Sequence, residues 1–417
     1  MKKLRLGIFG MGERGWSLVN NFLLLGCDLV AVCDDRKEML ERAERDFGKG
    51  FVCYDNFDEF IEHGLDVVIL TNFFHEHAPY AIKCFEKNIH VFSECISNGT
   101  MAEGVELVRA FEKSKSIYML AENYPQMKFN REIKRVCDTG TLGKIMYAEG
   151  EYNHPGDPRD AKFSINYKYK PSHWRNYLPA TYYVTHSLGP IMWATGATPK
   201  RITAFPIFAP IDEKYPTGRM NGDRTAIMMT HNDDGSVFRF TGCAAFGGHG
   251  NSYRVCGTQG TIENLRGMGG KVMLRYNSWE KPEGVEEINF YEPDWNDKDE
   301  EFIKKSGHGG GDFLTCRMFI DSVRNGVQPP HPFNIYSATA MSSVAILGHR
   351  SLLEDGMPYD IPDFRKEEDR VKYENDRLTP FIGSNGEAPT LPCCSDPSYA
   401  PTKEQVEAYK ELINYKD

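Results

Sequence analysis

The run Gly10-Met11-Gly12-Glu13-Arg14-Gly15 has the spacing G-x-G-x-x-G, the spacing of a phosphate cradle. Gly10 permits a tight turn, Gly12 lets backbone approach a pyrophosphate, and Gly15 allows a helix to pack closely on a strand. The helix that opens there attracts the phosphates through its N-terminal N–H groups. Asp34 follows at about the ~20-residue interval at which a carboxylate meets the ribose hydroxyls of NAD and repels a 2′-phosphate. Arg36 is the residue that would instead suit NADP. A second set of residues is suited to proton transfer. His186 is the candidate general base, because an imidazole titrates near neutral pH. Tyr182 and Tyr183 precede it by four and three residues, which on a helix is one face. Tyr152 and His154 are two apart, which on a strand is one side. Glu122, His154 and His186 could also be read as ligands for a divalent ion. No short ligand spacing supports that, so no metal is expected.

These residues need elements to hold them. Apolar runs at 4–9, 29–33, 67–70, 90–92 and 117–120 alternate with amphipathic stretches at 15–25, 36–47, 78–87 and 101–113. That alternation predicts a parallel sheet wound with helices, covered on both faces. Beyond Glu122, residues 144–154 read as a strand and 180–194 as a helix. Alternating stretches at 202–208, 226–231, 237–243, 252–256 and 271–276, with turns such as Asn232-Asp233-Asp234-Gly235, predict a largely antiparallel sheet. Residues 312–325 and 335–354 read as helices. The expected fold is an α/β Rossmann domain (1–122), an α+β domain with one open sheet and helices on a single face (123–362), and a C-terminal tail (363–417). The tail reads as ordered and packed on a domain or a neighbouring subunit, with disorder as the alternative; Thr402 and Gln405 have the spacing of a helix capping box.

Composition narrows the partners. The chain has 417 residues, 41% hydrophobic and 26% charged, which suits a folded chain with more than one core. A formal charge of -10 argues against nucleic acid or an anionic membrane surface. No apolar run is long enough to span a bilayer. Met1-Lys2-Lys3 leads directly into an apolar strand and glycine turn, with no signal-peptide h-region. Eleven cysteines without a framework, two of them adjacent at Cys393-Cys394, read as reduced thiols of the cytoplasm.

The chain resembles the Gfo/Idh/MocA oxidoreductases over nearly its whole length. The likeness rests on Thr71-Asn72-Phe73-Phe74-His75, Lys87-Asn88-Ile89-His90-Val91-Phe92-Ser93-Glu94, Gly140-Thr141-Leu142-Gly143-Lys144-Ile145 and Ile361-Pro362-Asp363-Phe364. It implies that the first domain binds NAD(P), while the second supplies a sugar site and the sheet of a homo-oligomer. Two features depart from the family pattern. Glu94-Cys95-Ile96 stands where the family has Glu-Lys-Pro, so its catalytic lysine is missing. Of the family's helical Asp-x-x-x-His pair, Tyr182 and His186 occupy the places and only the histidine remains.

The NAD-dependent glycosidases of the family lack that lysine too. They carry runs similar to Ala121-Glu122-Asn123-Tyr124, Glu149-Gly150-Glu151-Tyr152-Asn153-His154, Trp174-Arg175, Tyr183-Val184-Thr185-His186-Ser187-Leu188-Gly189-Pro190 and Gly307-His308-Gly309-Gly310-Gly311-Asp312-Phe313. The resemblance implies cofactor contacts from Gly10, Gly12, Arg14, Gly15, Asp34, Thr71, Asn72, His75, Glu94, Cys95 and Asn123. It implies chemistry from His186, Tyr183, Tyr152, His154 and Glu122, and substrate contacts from Trp174, Arg175, Tyr182 and His308. The expected reaction is hydride transfer from a sugar ring carbon, C3 foremost, to NAD. That transfer stands alone or opens a redox-neutral glycosidase cycle of oxidation, elimination, hydration and reduction. A non-catalytic NAD-binding sensor is the other class; the density of His, Tyr, Trp and Arg argues against it. At Cys95 a small buried hydrophobe is expected rather than a nucleophile.

Overall fold

The computed structural model describes residues 3–155, 171–210 and 218–415. The N-terminal strands are β1 (Arg5–Phe9), β2 (Asp28–Cys33), β3 (Val52–Tyr54), β4 (Val67–Leu70), β5 (His90–Ser93) and β6 (Tyr118–Leu120). They form one sheet in the order β3-β2-β1-β4-β5-β6, every neighbouring pair parallel. The helices between them include α1 (Glu13–Leu24), α2 (Lys37–Phe47), α3 (His77–Glu86) and α4 (Met101–Glu112). β4 is buried along its whole length, as a central strand covered on both faces must be. The sequence pattern shows five strands here and the structure has six. Val52–Tyr54 escaped because a three-residue edge strand, with Val52 half exposed, is too short to stand out as an element of its own.

The strand order reverses beside β1, and a ligand crevice is expected outside the carboxyl ends of the strands there. Gly10, Asp34, Thr71, Glu94 and Glu122 all follow the C-terminal ends of strands in this sheet.

The second sheet contains β7 (Ile145–Asn153), β8 (Pro199–Phe208), β9 (Asp223–Asn232), β10 (Val237–Ala244), β11 (Gly250–Gly257), β12 (Gly260–Asn264), β13 (Val272–Tyr276), β14 (Ile288–Tyr291) and β15 (Tyr359–Asp360). Its order is β14-β13-β12-β11-β7-β10-β9-β8-β15. The pairs are antiparallel apart from β10 with β7. Helices α5 (Lys128–Asp138), α6 (Thr185–Thr195) and α8 (Ile335–Leu353) pack on it. Helix α7 (Gly311–Asn325) does not stay with this sheet. Its Cys316, Phe319 and Ile320 join the core of the first sheet beside Leu18, Phe22 and Phe92.

The tail is ordered through its described residues and touches both sheets' surroundings. Arg350 on α8 pairs bidentately with Asp376 at 2.5 and 2.6 Å, while Asp376 O accepts from Ala102 N on α4. Thr402 and Gln405 form the capping box of a last helix, α9 (Lys403–Leu412). Among the described residues, no helix is long and apolar enough to cross a membrane.

Candidate active site

Three glycines shape the dinucleotide end. Gly10 has φ +97°, and a Cβ there would lie 2.6 Å from the Thr71 backbone. A Cβ at Gly15 would lie 2.1 Å from Gly10 O, so α1 can start this close to β1 only without a side chain. At Gly12 the same construction meets nothing within 4 Å, and no side chain caps α1. Open space beside uncapped helix N–H groups is what a pyrophosphate requires. Thr71 Oγ1 donates to Gly10 O at 2.6 Å and braces the turn. Around it, Asn72 Oδ1, His75 Nδ1 and Asn123 Oδ1 are buried without a partner among the described residues. The set fits a dinucleotide: a backbone cradle for phosphates and orphaned amide and ring atoms for the rest.

Two expected cofactor residues are already engaged. Asp34 accepts from Met11 N at 2.7 Å and Arg36 N at 3.0 Å, and the Arg36 guanidinium lies on both its oxygens at 3.0 and 3.1 Å. A ribose at this edge meets the Asp34–Arg36 pair, not a lone carboxylate. Arg14 is committed across the fold, its Nε to Glu94 at 2.6 Å and its NH1 to Asp312 at 2.7 Å. It ties α1 to α7.

At the other end of the crevice, Glu122 is fully buried where the chain leaves β6. His186 Nδ1 lies 2.9 and 3.0 Å from its two oxygens. An ionised carboxylate only accepts, so Nδ1 carries the proton and Nε2 is left as an acceptor. Tyr124 N donates to Glu122 at 3.1 Å, and the Cys95 thiol donates at 3.5 Å. Burial alone would raise the Glu122 carboxyl, but His186, Thr185 and Tyr124 N outweigh it and hold it below its ordinary value. Small residues make the approach possible. A Cβ at Gly189 would come 2.7 Å from Glu122 Cγ, and one at Gly150 would come 2.0 Å from Ser187 O. So α6 lies directly against both the carboxylate and β7.

Aromatic rings surround His186. Tyr124 stacks on it at 4.0 Å between centroids, Tyr152 meets it edge-on at 5.0 Å, and Tyr183 lies tilted at 5.2 Å. Burial drives the Tyr152 and Tyr183 phenols far above their usual range, and Tyr124 up to about 12. His154 lies 5.8 Å from Tyr152 on the same side of β7, its Nδ1 3.2 Å from His249 Nδ1. Burial lowers the His154 pKa, reinforced by His249, His186, Arg175 and His308. Trp174 stacks on Phe74 at 5.2 Å, and the Arg175 guanidinium lies over the Trp174 ring, 4.6 Å from its centre. His308 lies 5.7 Å from Tyr124.

Tyr182 belongs elsewhere. The helix begins at Thr185, not residue 180, so the i−4 relation to His186 does not apply. The ring of Tyr182 is fully buried against Phe381 and His349. Tyr124, His249 and Asp312 joined the site without being singled out from sequence. Tyr124 and Asp312 lay inside motifs already recognised by type. His249, in a glycine-rich turn, offered no signal. No group of three or more His, Cys, Asp or Glu able to hold a metal ion occurs among the described residues.

Three family models match consecutive parts of the chain: "Oxidoreductase family, NAD-binding Rossmann fold" at residues 4–122, "GFO/IDH/MocA C-terminal domain" at 130–263 and "Glycosyl hydrolase 109, C-terminal domain" at 219–370. The chain belongs to the Gfo/Idh/MocA oxidoreductase family. It is an NAD-dependent enzyme of that family, with the first sheet as its NAD-binding domain. Among similar proteins is a "Glycosyl hydrolase family 109 protein" of Streptomyces filamentosus, 25% identical over 405 residues, covering 88% of this chain and 78% of its own. A "Glycosyl hydrolase family 109 protein 2" of Akkermansia muciniphila is 25% identical over 403 residues, covering 87% and 83%. The fold is shared with levoglucosan dehydrogenase in complex with NADH and L-sorbose, with TM-score 0.72, 17% identity and coverage of 87% and 100%. It is also shared with an aldose-aldose oxidoreductase from Caulobacter crescentus, with TM-score 0.67, 16% identity and coverage of 86% and 100%.

Proposed function

We propose that this Gfo/Idh/MocA enzyme oxidises a ring hydroxyl of a sugar or glycoside, at C3, within a redox-neutral glycosidase cycle. The observation that carries the reading is the Glu122–His186 pair ringed by phenols just beyond the edge strand of the dinucleotide sheet. When bound, the nicotinamide supplies a hydride acceptor and afterwards a donor. The chain's own residues handle the protons. His186 Nε2 takes the hydroxyl proton, while Glu122 fixes the ring and balances the imidazolium. Tyr152 and Tyr183 stay protonated, because burial raises them, and donate hydrogen bonds to the developing carbonyl oxygen. A C3 carbonyl acidifies the C2–H, and His154, whose pKa is lowered by desolvation and by the neighbouring His249, is the base placed for that proton. At Cys95 a neutral thiol stands in place of a charged amine and gives Glu122 only a contact at 3.5 Å, so it does not compete as a charge with His186; burial first, then Glu122, raises that thiol well above its usual range. Trp174 and Arg175 offer a flat face and a donor to the sugar.

NAD is favoured over NADP because Asp34 and Asp35 both lie against Arg36, at 3.0 and 3.8 Å. A homo-oligomer through the second sheet is supported by its outer face, where Phe205, Ile207, Met229, Ile288 and Phe290 are exposed. The eleven free thiols support a reducing compartment, the cytoplasm.

A nitrophenyl-glycoside panel, with and without NAD, tests the reading. Nitrophenol release without net NADH is expected, and His186→Ala should lose about 10²–10⁴-fold in turnover. Net NADH from free sugars, with no glycoside cleaved, would replace the cycle by a plain dehydrogenase. Full activity in the His186→Ala variant would remove His186 from the chemistry.

A further inference from the structure

Three rings in a row follow β4, and each faces a residue far away in the chain. Phe73 meets His173 edge-on at 5.2 Å, and Phe74 stacks on Trp174 at 5.2 Å with 18° between the planes. His75 stacks on Phe381. Phe74 also meets Tyr183 edge-on at 6.1 Å. One buried ring of the NAD-binding domain therefore touches two of the groups assigned above to the sugar. A phenyl ring can neither move a proton nor donate to a hydroxyl, so what it contributes there is placement.

The loop that holds these rings is tied to the dinucleotide cradle and closed on itself. Thr71 N donates to Phe9 O at 2.8 Å, and its hydroxyl donates to Gly10 O at 2.6 Å. Glu76 N donates to Phe73 O at 2.9 Å and Asn72 Nδ2 to Glu76 O at 3.2 Å, which makes residues 72–76 one turn. Within that turn Asn72 Oδ1 and His75 Nδ1 are buried with no partner among the described residues. A buried polar atom left unpaired is costly, so a ligand that pairs it stabilises the turn around it. A dinucleotide in the adjoining cradle is such a ligand.

The receiving end is a single helical turn, Trp174–Asn176, capped by His173, whose Nδ1 accepts from Arg175 N at 3.2 Å. Phe73 lies against that cap and Phe74 against the first residue of the turn. One turn of helix does not hold its own shape, because fixing its backbone costs more than its hydrogen bond returns. Its shape depends on what packs on it, and here two of those neighbours come from the NAD-binding domain.

We propose that Phe74 is a positioning residue that couples the NAD site to the sugar site. A dinucleotide that fixes the 72–76 turn fixes, through Phe74, the plane of Trp174 and the ring of Tyr183. Coupling between sites is reciprocal, so NAD tightens sugar binding by the same factor as sugar tightens NAD. The sugar half of this inference rests on the glycoside reading above; the link from NAD to Trp174 does not.

Acrylamide quenching reads that link in the full-length protein, with a Trp174→Phe variant subtracted to isolate the Trp174 emission and oxidised NAD as the probe. Saturating NAD is expected to lower the Trp174 quenching constant at least about twofold in wild type, the population shift that one aromatic contact supports. In Phe74→Leu, which stays apolar but has no ring face, NAD should leave that constant unchanged. Phe74→Leu should also raise KM about 3–10-fold for the glycoside that is cleaved, or for the free sugar if only NADH forms, the worth of one or two aromatic contacts. Its affinity for NADH alone should be kept. Where Phe74→Leu does not fold, Phe73→Leu, on the more exposed ring of the same turn, should weaken the NAD effect on Trp174 in its place. Trp174 quenched equally with and without NAD in wild type, or protected equally in wild type and Phe74→Leu, overturns the link. Protection of Trp174 in a protein that cleaves no glycoside overturns the glycoside reading and supports the link.

Discussion

Glu122 has two oxygens and three neighbours competing for them: the His186 ring, Tyr124 N and the Cys95 thiol. That enclosure decides the tautomer of His186, and the tautomer decides whether Nε2 can accept a proton. Glu122→Gln keeps the volume but offers an amide that can donate as well as accept, so the ring loses its single preferred state. Turnover is expected to fall about 10²–10⁴-fold, the scale seen when a carboxylate behind a catalytic histidine is made an amide. NADH affinity should be unchanged, because Glu122 lies at the substrate end of the crevice. Steady-state kinetics with a fluorescence titration checks both. A variant that loses NADH binding in proportion to turnover would mean that Glu122 supports the fold, not the base.

At the scale of elements, what could be read from sequence was whatever an apolar run or a local rule announces. β1, β2, β4 and β5 are short apolar runs buried on both faces, and α4 carries its own capping box from Thr100 and Glu103. The glycine turn and Asp34 were legible because phosphate cradles need fixed spacings. β12 and β14 were not, since Gly260–Asn264 is largely polar and Ile288–Tyr291 is an exposed edge. Long-range pairing was invisible as well: nothing near Arg14 announces Asp312, nearly three hundred residues away. Tyr182 was misplaced because helix periodicity was extended one turn too early, across the turn in which Tyr182 N bonds Pro179 O. The tail corrects that error physically. Phe381 stacks on His75 at 4.2 Å and meets Tyr182 edge-on at 5.2 Å, pinning the loop before α6 to the loop after β4. Phe381→Ala should therefore cost about 3–5 kcal/mol of stability and raise KM by loosening both loops. Denaturant unfolding and steady-state kinetics measure these; an unchanged unfolding midpoint would show that the tail merely lies on the surface.

Exposed apolar side chains on the second sheet and histidines in the interior each set a measurable limit on the whole molecule. On the outer face of the second sheet, Phe205 and Met229 sit on neighbouring strands with about half their surface exposed. Phe205→Asp with Met229→Glu should shift the protein to a smaller species in light scattering, because apolar contact drives association of such faces. Acid sets the second limit. His75, His331 and His349 are enclosed, and burial lowers them from 6.5 to about 3, 4 and 4. The hydrogen bond that the His349 ring donates to Pro392 O opposes that and does not overcome it. Each group is depressed in the folded chain, so the unfolded chain binds protons first as pH falls. Their contribution is whole above about pH 6.5, shrinks below it, and is spent once pH passes the folded values. A melting temperature that falls between pH 7 and pH 5 is therefore expected, ahead of ordinary carboxylate titration. His349→Gln makes the assignment specific. Its amide keeps a donor near Pro392 O, which lies 2.7 Å from the ring Nε2, but carries no proton to gain. Its melting temperature should depend less steeply on pH over the same interval, even if it is lower throughout. A wild-type melting temperature flat from pH 7 to 5, or a variant with the wild-type slope, would show that these rings reach water before the fold opens.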